Sequence, residues 1–208
     1  MIRPDGFRGA AFGDAADGNA RSDPSARRRM SDRLGIPMDW AWLRQVHGAD
    51  VVRVVGAGPQ GVGDAAYTSV RGLPIAVSTA DCYPVIVESP GAVGIAHAGW
   101  RGAATGVVEA LLRGMAAAGH EPARAAIGPG IGACCFEVGP EVGARFRGHE
   151  ATTDWGTTAV DLSAVVRAAL GDLEVWATGI CTMSNEAYHS HRRDATPQRQ
   201  VAVTWLPA

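Results

Sequence analysis

Between residues 75 and 97 the chain holds three short apolar runs, 75–79, 84–88 and 93–97, parted only by Asp81-Cys82 and Ser89-Pro90-Gly91. None of them alternates apolar with polar residues. A strand with one wet face shows that alternation, whereas a strand covered on both faces reads as an unbroken apolar run. Three strands buried on both faces are therefore expected. Helices to cover them are present in the pattern. Val107, Val108, Leu111, Leu112 and Met115 recur at helical spacing in a helix expected from Gly102 to a stop at Gly119. Leu162, Val165, Val166, Ala169 and Leu170 repeat the pattern later.

Ser22-Asp23-Pro24 reads as a helix start with Pro24 at its first position and Gly35 as its stop. That helix carries Arg27, Arg28 and Arg29, and so reads as a surface helix. A loose strand and loop are expected within 7–20, and further strands at 40–43, 51–55, 123–127, 173–178 and 201–205. The stretches 56–63 and 128–132 read as glycine-rich turns, and a short helix is expected from Pro140. No repeat or linker interrupts the chain. The expectation is an α+β chain, a single mixed α/β domain over 1–208.

Of the 208 residues 47% are hydrophobic, enough for a sizeable core, and the net charge of −2 advertises no nucleic-acid or anionic-membrane partner. No apolar run approaches the length needed to span a bilayer, and residues 1–8 lack the apolar core of a signal peptide. All 19 basic residues are arginine, which excludes a Schiff-base lysine and a P-loop lysine. The four cysteines, Cys82, Cys134, Cys135 and Cys181, are irregularly spaced, which points to reduced thiols and a cytoplasmic protein.

Three residues at strand ends or turns have metal-ligand chemistry: His47, Cys82 and His97. Two imidazoles and a thiolate make a three-ligand zinc set with one position left open. The same residues also allow a dyad in which His97 activates Cys82 as a nucleophile. Composition and spacing leave the two readings level. Arg101 follows Trp100 where a helix is expected to begin, which suits an anion; the plainer reading packs its stem on Trp100. Asp81 adjoins Cys82 and reads as a proton shuttle, a partner of the metal ligands or a simple strand-end cap. Gln45, two residues before His47, is a candidate substrate contact. The turn from Gly128 lacks the third glycine of a dinucleotide fingerprint, so no such site is expected. Cys134 and Cys135 read as packing residues. The run His189 to Asp194 reads as a solvated charge cluster, with Arg193 a second candidate contact for substrate.

Together the segments "RQVHGADVV", "GDAAYTSVRGLPIAVSTADCYPVIV", "VGIAHAGWRGAATGVVEALL", "AIGPGIGACCFEVG" and "HSHRRDATPQRQ" resemble the YfiH/laccase-domain family, also named for multicopper polyphenol oxidase or purine nucleoside phosphorylase. The resemblance implies a layered α-β-β-α sandwich and a metal centre at His47, Cys82 and His97, occupied by zinc with copper ranked behind it. It implies purine nucleoside chemistry: phosphorolysis of adenosine, inosine or methylthioadenosine, and adenosine deamination. Catalytic roles then fall on His47, Cys82, His97 and Asp81, and substrate contacts on Gln45, Arg101 and Arg193. The expected partners are a nucleoside and phosphate, with the chain a monomer or weak dimer. Two alternatives stand beside this: an amidase editing peptidoglycan precursors, and a non-catalytic module that zinc stabilises. The chain departs from the family pattern at residues 1–33, a shortened N-terminal segment, and at His191, where a tyrosine is common.

Overall fold

A computed structural model describes all residues, 1–208. The strands of the first half are β1 (Ala10–Phe12), β2 (Ala41–Arg44), β3 (Val51–Arg53), β4 (Gly58–Val62), β5 (Ala65–Thr68) and β6 (Ile75–Thr79). Then come β7 (Tyr83–Glu88), β8 (Val93–Ala98), β9 (Arg124–Ile127), β10 (Glu150–Thr152), β11 (Thr158–Val160), β12 (Glu174–Ala177) and β13 (Gln200–Thr204). The helices are α1 (Pro24–Leu34), α2 (Trp100–Ala104), α3 (Val107–Ala117), α4 (Pro140–Gly143), α5 (Leu162–Ala169) and α6 (His191–Asp194). None is long and apolar enough to cross a membrane.

The strands form two large sheets, ordered β1-β13-β6-β2-β4 and β12-β9-β7-β8-β5-β3, and a small β10-β11 ladder. Burial explains the unbroken apolar runs. All six residues of β7 and of β8 are buried. On one face of their hairpin, Ile86 and Ile95 meet Phe12, Leu43, Ile75 and Val77 of the other sheet. On the opposite face, Val85, Val87 and Ala96 meet Val107, Val108, Leu111 and Met115 of α3 and Leu162 and Val166 of α5. Each fully buried Ile, Val or Leu contributes about 1.5–3 kcal/mol, so these two seams hold the sheets in place.

The outer face of the five-stranded sheet is covered by α1. Asp23 caps that helix by accepting from the Ser25 N–H, with Pro24 at its first position. Its buried residues Ala26, Met30 and Leu34 are spaced four apart, and Met30 and Leu34 lie in one cluster with Ala76, Val201 and Val203. The layers therefore run α-β-β-α, as the resemblance implies.

Two local expectations are corrected. The glycine-rich stretch 56–63 contains an edge strand, β4, parallel to β2; an edge tolerates Pro59, which cannot donate to a ladder. The helix expected from Gly102 instead begins at Trp100 and is broken. Thr105 Oγ1 donates back to the Arg101 and Gly102 carbonyls, and Gly106 takes φ 81°, a left-handed conformation that separates α2 from α3.

Candidate metal centre

The junction of the two sheets brings His47, Cys82 and His97 together. His47 lies on the turn after β2, Cys82 between β6 and β7, and His97 within β8, so both large sheets contribute. One donor atom of each lies within 4.8 Å of the others. The two imidazole rings meet edge-on, with centroids 4.9 Å apart at 68°. His97 is buried, Cys82 half-buried and His47 exposed, so the set opens towards solvent on the His47 side.

A fourth residue builds this arrangement. Asp64, fully buried just before β5, accepts through Oδ2 from the N–H groups of Val46 (3.0 Å) and Gly48 (2.8 Å). Its Oδ1 accepts from the N–H of His47 (2.9 Å) and lies 2.8 Å from Nδ1 of His97. One carboxylate therefore shapes the turn that carries His47 and orients the His97 ring. With Nδ1 engaged, Nε2 of His97 is left for the site. Burial pushes the Asp64 carboxyl up, but the His97 bond and the backbone donors outweigh it and hold the group at about 2. Asp64 escaped the sequence reading; the available signal was an acidic residue heading the otherwise apolar run 65–67.

Burial also raises the Cys82 thiol, and here too the neighbours win. The charge of His97 and hydrogen bonds from His47 and His97 bring it down to about 6. Burial lowers His97, but Cys82 and Asp64 together lift it to about 9. The metal-free pair is thus held as thiolate and imidazolium near neutral pH. Gly99 completes the packing: a Cβ there would lie 2.8 Å from Cys82 Sγ and 3.0 Å from His47 Cδ2.

The donor set opens into a cavity of about 610 Å³, within the usual range for small-ligand sites. Its apolar wall is Trp100, Ile131, Phe136 and Leu162, and four arginines, Arg21, Arg101, Arg192 and Arg199, line it as well. Arg101 is exposed and lines the cavity, and its guanidinium itself stacks over Trp100, 4.4 Å from the ring centroid. The helix expected to add its dipole beside Arg101 is the five-residue α2, too short to add much.

Three other candidates have their side chains engaged. Gln45 borders the cavity, but its amide pairs with the backbone of Ser78, donating to the carbonyl (2.9 Å) and accepting from the N–H (3.0 Å). Asp81 accepts from Thr182 Oγ1 and from the Arg192 N–H, both at 2.7 Å, and so ties the end of β6 to residues 182–192. Arg193 turns away from the cavity. Its guanidinium donates to the carbonyls of Thr182, Met183, Asn185 and Tyr188 and to Asp194, and so staples the loop. From this segment the cavity receives His191 and Arg192 instead.

A four-layer α-β-β-α protein with a His-Cys-His donor set at the seam of its sheets is the class these features define. The chain belongs to the family described as multi-copper polyphenol oxidoreductase laccase, whose model matches residues 7–207. It is 39% identical to "Purine nucleoside phosphorylase ORF3" of Streptomyces griseus, over 97% of this chain and 90% of that one. It is 34% identical to "Purine nucleoside phosphorylase YfiH" of Escherichia coli, over 86% and 79% of the two chains. Among solved structures, YlmD from Geobacillus stearothermophilus superposes with a TM-score of 0.81 at 31% identity, over 91% of this chain and 82% of that one. YfiH from Bacillus licheniformis gives 0.80 at 27%, over 90% and 82%.

Proposed function

We propose that this chain is a zinc-dependent purine nucleoside enzyme that carries out phosphorolysis of adenosine, inosine or methylthioadenosine, and deamination of adenosine. The observation that carries the reading is the preformed donor set of His47, Cys82 and His97 at the base of a cavity lined by four arginines. The names borne by the relatives support the substrate class.

The donor set suits zinc: two imidazoles and a thiol already brought down to about 6, with Asp64 fixing one imidazole from behind. His47, Cys82 and His97 would hold the zinc, which would supply Lewis acidity and water activation at the cavity. The remaining work falls to the chain. The guanidinium groups of Arg21, Arg101, Arg192 and Arg199 attract and orient phosphate, each offering planar, permanently charged donors. Trp100, Phe136, Ile131 and Leu162 give a flat purine an apolar surface and displace water from it. Asp64 keeps Nδ1 of His97 occupied, so that ring cannot turn away. Asp81 acts as a positioning residue that secures Arg192 at the cavity edge.

A second reading follows from the same thiol. A cysteine at about 6 between two histidines is also chemically suited to be a nucleophile in amide hydrolysis. Metal analysis joined to a nucleoside turnover screen separates the readings. We expect about one zinc per chain in this set, loss of activity on chelation, and free base released from nucleoside only when phosphate is present. A folded, metal-free protein that hydrolyses amides after chelation would overturn the zinc reading.

A further inference from the structure

A second group of metal-ligating side chains lies apart from the cavity. Cys134 and Cys135 sit on the turn after the glycine-rich loop, and Cys181 follows β12 from the far end of the sequence. Their three Sγ atoms fall within 4.8 Å of one another, with Cys134 and Cys135 only 3.1 Å apart. We propose that Cys134, Cys135 and Cys181 form a second metal site, for a thiophilic ion such as Zn2+, Cd2+ or Cu+.

The backbone builds this cluster before any ion arrives. Gly130 and Cys181 form an isolated parallel bridge, with Gly130 N–H donating to Ile180 and Thr182 N–H donating to Gly130. The N–H groups of Cys135 and Phe136 both donate to the Gly132 carbonyl and curl the turn. Gly132 N–H in turn donates to Cys181 Sγ at 3.2 Å. A side chain on Gly132 would press on the trio, since a Cβ there would lie 3.3 Å from Cys134 Sγ.

Distances suit a shared ion. Metal–sulfur bonds of about 2.3 Å at tetrahedral angles set sulfurs about 3.8 Å apart. Cys134 and Cys135 therefore need to spread by only about 0.7 Å, and the wider separations to close by about 1 Å at most. Electrostatics point the same way. Burial raises the Cys181 thiol, but the Gly132 amide and the Ser184 hydrogen bonds outweigh it and hold it at about 7. Burial pushes Cys134 up, with the Cys135 sulfur opposing and the Cys181 sulfur adding to it, and burial and both neighbouring sulfurs push Cys135 up. Soft thiolate donors select d10 ions. Such an ion would bind the loop carrying Ile131 and Phe136, part of the cavity wall, to the segment whose Thr182 holds Asp81.

Cadmium titration of the reduced, metal-stripped protein, followed by its thiolate-to-cadmium absorbance, tests this. Four thiols are available, three here and Cys82 at the other centre, so saturation at two equivalents is expected. Cys134→Ser with Cys181→Ser should cut the absorbance about fourfold and leave one equivalent bound. Cys82→Ser should remove only about a quarter of it. Cadmium should also shield Cys134 and Cys181 from iodoacetamide in the unaltered protein, a readout that needs no variant to fold. Saturation at one equivalent with alkylation of both cysteines undiminished would overturn the proposal. So would a disulfide among the three that survives reductant and leaves nothing to bind.

Discussion

Replacing Asp64 by asparagine removes a charge and almost no volume, yet Asp64 serves four partners. Oδ2 takes the N–H groups of Val46 and Gly48, and Oδ1 takes that of His47 and faces Nδ1 of His97. Asparagine has a single accepting oxygen. If it takes the Oδ1 place, the Val46 and Gly48 amides meet an NH2 group. A donor left without an acceptor costs about 1–3 kcal/mol when buried, and these two are only partly so, which puts Asp64→Asn at about 2 kcal/mol. For a chain of 208 residues that lowers Tm by about 4–8 °C in metal-free melts followed by circular dichroism. The pH dependence supplies a second arm. The folded carboxyl titrates at about 2, below its ordinary 3.8, so its contribution is fully present above pH 4 and is lost as pH falls towards 2. That contribution is about 2 kcal/mol. The variant should lack this acid-side slope, and its zinc affinity should fall about 10- to 100-fold. A folded Asp64→Asn protein that melts within about 2 °C of the original and keeps the same slope would refute the reasoning.

In the metal-free protein, the rate of Cys82 alkylation should rise with a midpoint near pH 6, and His97→Ala should move that midpoint upward because burial then acts with less opposition; an unmoved midpoint would remove His97 from the account. Gly99→Ala should keep its fold and Tm but weaken zinc binding about tenfold or more, since its methyl meets Cys82 Sγ and the His47 ring; competitive chelator titration measures this. Arg193→Ala should lower Tm by several degrees with KM for phosphate little changed, whereas Arg101→Ala should raise that KM and spare Tm. Steady-state kinetics beside thermal melts reads both, and the reverse pattern would exchange the roles assigned to these arginines.

The sequence made the layers legible because burial on both faces leaves its mark on every residue of β7 and β8. The start of α1 was equally legible, through Asp23, Pro24 and the stop at Gly35. Strand β4 was hidden because its pairing partner, not its glycines, makes it a strand. The three donors could be named as candidates, but their convergence is a property of two sheets meeting and has no local signature. Side-chain hydrogen bonds were less visible still. Nothing in "HSHRRD" distinguishes Arg192, at the cavity, from Arg193, which folds back onto four carbonyls. Asp64 stood unmarked at the head of a strand although its bonds shape the whole turn that carries His47.

The place of β13 bears on how the molecule comes into being. It lies between β1 and β6 and pairs with both, and Thr204 bonds to Gly9 across 195 positions of sequence. On a ribosome the chain emerges N-terminal end first. β1 and β6 are therefore out long before the strand that joins them, and the nascent sheet waits with a slot one strand wide. The flank of that slot is β6, an apolar edge of the kind that sticks to other chains until it is covered. Closure over so long a span is slow, which makes the growing polypeptide a natural client for chaperones. A premature stop before Gln200 would therefore remove the middle of a sheet rather than trim its margin, with aggregation the expected outcome.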